Sequence, residues 1–163
     1  MPAKTDTSLA QEQIKIKPKI DEMIPKLLDG GLKETAFEFV AYLSEKKNTP
    51  RYSSFNSWKV SYKSKMLCYI KMNSNIWSVA FHLEKFNREF SEDFKETIQN
   101  NLTSCTACLK ACRKGVEMTV FEKRFENICH YWTIQFANPN VNTLKHIKEL
   151  LEYRKEIIKA LYK

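Results

Sequence analysis

Between residues 57 and 83 the apolar side chains stop recurring at three- and four-residue intervals and begin to alternate. In "SWKVSYK", Trp58, Val60 and Tyr62 alternate with Lys59, Ser61 and Lys63. That period of two is the mark of a half-buried strand. "SKMLCYIKM" reads as its partner across a tight connection at Lys63-Ser64, and "NIWSVAFHL" as a third strand with Trp77, Val79, Phe81 and Leu83 on one face. Asn73-Ser74-Asn75 is a turn by composition. The reading is an antiparallel meander over residues 57–83.

Helical periods flank it. Ile20, Met23, Ile24, Leu27 and Leu28 share one helical face, and Pro25 should kink or restart that helix because it lacks a backbone donor. Gly30-Gly31 is a natural stop. The next helix, "LKETAFEFVAYLSEKK", should bury Phe37, Val40, Ala41 and Leu43. "NTPRYSS" punctuates. In "SEDFKETIQNNL", Ser91 is a good N-cap and Glu92 and Asp93 suit the positive end of a helix dipole. "VEMTVF" and "NICHYWTIQF" return to strand, and Asn138-Pro139-Asn140 ends the sheet. From Asn142 on, Leu144, Ile147, Leu151, Ile158 and Leu161 outline a long amphipathic helix, interrupted at Arg154. The expected fold is α+β: an antiparallel sheet of about five strands with helices on one face, an N-terminal helical pair and a long C-terminal helix. Residues 1–13, polar and without period, read as a disordered tail. Residues 14–163 read as a single domain, which suits the length of 163 residues.

Composition removes several functions. Three glycines, Gly30, Gly31 and Gly115, cannot build a glycine-rich phosphate loop or a dinucleotide fingerprint. No run approaches the roughly 18 apolar residues of a membrane span. The N-terminal stretch carries no apolar signal region, so the expected location is the cytoplasm, with no membrane partner. Neither Gly-x-Ser-x-Gly nor His-Glu-x-x-His occurs, and no reaction is named by any motif.

The cysteines carry the most chemistry. "TSCTACLKAC" places Cys105, Cys108 and Cys112 at C-x2-C-x3-C, and Cys129 follows with His130 beside it. Thiolates suit zinc or iron, and Lys110, Arg113 and Lys114 would favour the thiolate form. Cys105, Cys108, Cys112 and Cys129 are therefore the candidate metal ligands, for zinc before iron. Against this, 105, 108 and 112 are i, i+3 and i+7, one face of a helix that Leu102 and Leu109 would extend. Free cysteine is a small hydrophobe that is often buried. Ligands at i and i+7 on a straight helix would also stand about 10 Å apart along its axis. A metal site, a buried face and a redox sensor all stay open. Without an export signal the five cysteines are not read as a disulfide frame.

Charge is the other lead. The chain carries a net +8, and residues 51–75 contribute Arg51, Lys59, Lys63, Lys65 and Lys71 with no acid. Trp58, Tyr62, Tyr69 and Trp77 interleave with those lysines, and such sheets can stack bases and hold phosphates. Alternation alone argues that the aromatics point inward and the lysines face water. With His82 and His130, these four aromatics are the candidate ligand-pocket residues.

The stretch "WKVSYKSKMLCYIKMNSNIWSVAFHL" resembles the small bacterial YdhG-like domain, in which a strand pair around a tyrosine and a basic turn leads into a core strand. The closing "ANPNVNTLKHIKELLEYRKEIIK" is similar to that family's sheet followed by a final helix. The resemblance implies an α+β layout over residues 17–163. Some members are called frataxin-like iron chaperones, but this chain is basic and lacks an acidic metal-binding ridge, so no functional residue carries over. The expected function is a cytosolic, non-enzymatic binding domain for a small ligand or protein partner. The alternatives are a zinc- or iron-binding protein using the cysteines, and a nucleic-acid binder using residues 51–75.

Overall fold

A computed structural model describes residues 6–83, 85–106 and 115–163. The elements run α1 (Asp6–Ile16), α2 (Ile20–Leu27), α3 (Gly30–Glu45), β1 (Arg51–Ser54), β2 (Ser57–Tyr62), β3 (Lys65–Asn73), β4 (Ile76–Phe81), α4 (Glu92–Asn100), β5 (Val116–Val120), β6 (Lys123–Ile128), β7 (Ile134–Ala137) and α5 (Val141–Ala160). The fold is α+β, with a five-stranded antiparallel sheet ordered β1-β2-β3-β4-β7 and a separate β5-β6 pair. Met1–Ser78 with Ala137–Lys163 forms one compact unit, and Val79–Phe136 forms another.

In the first unit the sheet follows the alternation. Trp58 pairs with Ile70 and Val60 with Cys68, and all four are fully buried. Lys59 pairs with Tyr69 and Ser57 with Lys71, which puts these residues on the opposite face. The β2-β3 connection is the tight one expected: Lys63 (φ 46) and Ser64 (φ 64) are both left-handed, the backbone of a two-residue hairpin that matches strand twist. Burial drives the Cys68 thiol far above its usual range, so it stays protonated and unreactive.

Several expectations are corrected. The meander has four strands, because "RYSS" in the stretch read as punctuation forms β1 on the sheet edge. The segment 127–136, expected as one strand, breaks after Ile128 and resumes at Ile134 as β7, which joins β4 in the main sheet. α1 forms where no period is visible. Gly30, at φ +52, opens α3 instead of closing the helix before it.

The buried face of α3 is Ala36, Phe39 and Leu43, while Phe37 is exposed. Spacing allowed either phenylalanine; packing selects Phe39, whose ring lies 6.0 Å from that of Trp77. In α5, Leu161 is exposed, and Arg154, which looked like a break in the apolar stripe, is buried. One nitrogen of its guanidinium, Nη2, donates to the Met66 carbonyl at 3.2 Å, so the backbone of β3 takes up part of the charged head. Asn140 caps α5 by accepting from the Thr143 amide at 2.9 Å.

α3 and α5 are also joined by a polar cluster. The Tyr42 hydroxyl donates to Glu152 Oε1 at 2.7 Å, and Lys155 donates to the same oxygen at 3.2 Å. Burial, reinforced by the bond to the carboxylate, holds the Tyr42 phenol above its ordinary range.

Within the second unit, Phe81 and Phe136 meet edge to face at 6.0 Å. Thr133 anchors two segments: its hydroxyl accepts from the Leu83 amide and its carbonyl from the Thr103 amide. Among the described residues no helix is long and apolar enough to cross a membrane.

Candidate functional site: an aromatic groove

The second unit contains an open groove of about 1060 Å³ between α4 and the β5-β6 hairpin. Local sequence builds each wall. The Ser91 hydroxyl accepts from the Phe94 amide at 3.2 Å and starts α4 where its acidic first turn favours a helix N-terminus. α4 then turns Phe94 and Ile98 inward. Opposite, β5 and β6 are joined at Phe121 (φ 50) and Glu122 (φ 65). A left-handed backbone is uncommon for a bulky aromatic and costs about 1–2 kcal/mol. Here it aims the Phe121 ring at Phe86, with the two stacked at 4.3 Å.

Four rings make one cluster. Phe90 stacks on Phe94 at 4.5 Å, Phe86 meets Phe90 edge to face at 5.2 Å, and Phe121 lies 5.9 Å from Phe90. Phe90 and Phe94 are buried, whereas Phe86 and Phe121 are only half-buried and line the groove with Leu83 and Met118. The Gln99 side chain donates to the Val120 carbonyl at 2.9 Å and ties the end of α4 to the hairpin. The rim is charged with both signs. Lys95 pairs with Glu92 at 2.8 Å and Glu89 at 3.6 Å, and those carboxylates hold its ammonium above the usual range. The Arg88 guanidinium sits 4.8 Å from the centre of the Phe90 ring.

The residues singled out from the sequence are elsewhere. Trp58 is buried, its indole nitrogen donating to the Pro18 carbonyl at 2.9 Å. Trp77 is buried against Phe39, and Tyr62 is half-buried beside Lys63. Tyr69 stands on the outer sheet face, its hydroxyl 2.8 Å from Ser54 Oγ. His82 and His130 do come together: His82 Nδ1 lies 3.1 Å from the His130 carbonyl oxygen and the rings are 6.1 Å apart. None of the six lines the groove.

Cys108 and Cys112 lie outside the described residues. Cys105 and Cys129 sit on neighbouring antiparallel segments, since the Cys105 amide donates to the Asn127 carbonyl at 2.8 Å and the Cys129 amide to the Thr103 carbonyl at 2.7 Å. Cys129 is buried, and its sulfur accepts from the Trp132 amide at 3.4 Å. Among the described residues no three His, Cys, Asp or Glu side chains gather in a way that could hold a metal ion.

Sequence reasoning passed over the groove. One signal was present: Phe86, Phe90 and Phe94 recur every four residues into α4. The fourth ring, Phe121, comes from a distant hairpin tip that no local spacing announces. No family model, curated protein or solved structure matches the chain.

Proposed function

We propose that the chain is a binding module whose groove takes an extended segment of a protein partner. The observation that carries this reading is the half-buried Phe86–Phe121 stack in the lining of a cavity of about 1060 Å³. Pockets for compact ligands run from about 300 to 1,000 Å³ and enclose most of the ligand. An open groove just above that range suits a chain better than a compact molecule. Phe86 and Phe121 among lining charges of both signs follow the pattern of a protein-recognition surface, where aromatic anchors are ringed by polar groups.

The test is selection of random peptides displayed on phage against the intact protein. The expected result is a consensus with an aromatic or large aliphatic anchor flanked by charges, whose affinity falls at least tenfold in Phe121→Ala. A consensus that binds Phe121→Ala as well as the original chain would overturn the reading.

A zinc site at Cys105, Cys108, Cys112 and Cys129 is the second reading. The backbone pairing of segment 103–105 with 127–129 favours it, since it puts Cys105 and Cys129 on neighbouring antiparallel segments. Elemental analysis of untagged protein purified without added metal decides it: about one zinc per chain supports the site, and metal-free protein removes it.

A further inference from the structure

From Lys46 to Leu83 the chain contains seven lysines and arginines and no aspartate or glutamate. The strand register turns this one-dimensional bias into a surface. Arg51 pairs with Lys59, and Lys59 with Tyr69, so the three stand in one row across β1, β2 and β3. Ser54, Ser57 and Lys71 form the next row on the same face. Neighbours within a row are about 4.8 Å apart and successive rows about 6.7 Å. Lys65 and Lys63 continue the charge to the hairpin end of β2 and β3. Arg51, Lys59, Lys65 and Lys71 are all exposed, and among the described residues none of them is paired with a carboxylate.

An unneutralised row of bases repels itself, and a surface of this kind attracts a polyanion. We propose that the outer face of β1–β3 binds single-stranded nucleic acid through its phosphates, using Arg51, Lys59 and Lys71, with the Tyr69 and Ser54 hydroxyls between them. This does not depend on the groove. The bases of this face stand on strands, not on a helix that could enter the major groove of a duplex. Basic sheet faces carrying an aromatic instead suit an extended single strand, whose phosphates track the charges. The local field agrees. Burial alone would raise the Tyr69 phenol, but its bonds to Ser54, Ser57 and Ser53 and the charge of Lys71 outweigh that and leave it below its ordinary range.

Fluorescence anisotropy of labelled 20-mer oligo(U) and oligo(dT), measured between 50 and 200 mM salt, tests this directly. Each phosphate contact on a single strand contributes about −0.7 to the slope of log affinity against log salt, so three contacts predict a slope of about −2. Lys59→Ala/Lys71→Ala should weaken binding at least tenfold and lower the slope by about 1.4. Lys33→Ala/Lys145→Ala removes the same charge elsewhere and should weaken it less than threefold. Thermal melts check that both variants stay folded. Equal losses in the two variants would mean that net charge alone attracts the strand, and would overturn the proposal. So would preference for duplex of the same length, or binding only to phosphatidylserine vesicles.

Discussion

Two sets of aromatic rings, one from each compact unit, meet opposite fates. In the first, Trp58, Trp77 and Phe39 are sunk to 1% exposure or less, and the one indole nitrogen with a described partner finds it in a backbone carbonyl. In the second, Phe86 and Phe121 stay half-buried, and one of them is held there by a left-handed backbone that its side chain disfavours. A buried ring lowers the free energy of the fold. A ring kept partly in water at a conformational cost contributes less to stability.

The largest expected effect tests that contrast. Phe39→Ala should cost about 3–5 kcal/mol, because it removes a full side chain from a closed core and leaves a cavity. Phe121→Ala should cost only about 1–2 kcal/mol, since part of its surface is already in water. Urea denaturation of both variants gives the difference. Equal losses would make the four-ring cluster ordinary core and take away the argument for the groove.

A smaller effect sharpens the second half of the comparison. If the hairpin tip is strained, the residue that replaces Phe121 should matter beyond the loss of its ring. Asparagine tolerates the left-handed region better than alanine. Phe121→Asn should therefore be more stable than Phe121→Ala by about 0.5–1 kcal/mol, although both lose the ring contact with Phe86. The same denaturation measurement applies. Alanine equal to or better than asparagine would show that φ +50 at this position stores no strain.

How far each unit could be read from sequence follows the same division. Strands β2 and β4, the Lys63-Ser64 hairpin, the Ser91 cap and the long α5 were legible, because one buried face imposes a period on the residues that build it. β1 ("RYSS") and β6 ("KRFENI") were not, because both are mostly exposed and carry no alternation to detect. In α3 the period was visible but its phase was not: Phe37 and Phe39 compete, and only Trp77, nearly forty positions on, decides between them. The groove failed for a like reason, since its floor joins Phe86 to Phe121 across a separation no local window spans. Arg154 shows the converse error, a charge taken as a gap in a buried face that a backbone carbonyl in fact accommodates.

The smallest effect concerns the polar counterpart of these cores, the Tyr42–Glu152–Lys155 cluster between α3 and α5. Burial by itself would raise the Glu152 carboxyl, but bonds from Tyr42 and Lys155 outweigh it and hold the group below its usual range when folded. A carboxylate depressed on folding binds its proton more weakly in the native state. Its stabilising contribution is therefore complete above the unfolded value of about 4.3 and is lost as pH falls through the lower folded value. The side chain is 42% exposed, so solvent screening keeps the contribution under about 1 kcal/mol. Thermal melts from pH 7 to pH 3 should show Glu152→Gln less stable than the original chain at neutral pH, with the gap closing on acidification. A gap that stays constant with pH would mean that the substitution acts through something other than the charge of the Glu152 carboxylate.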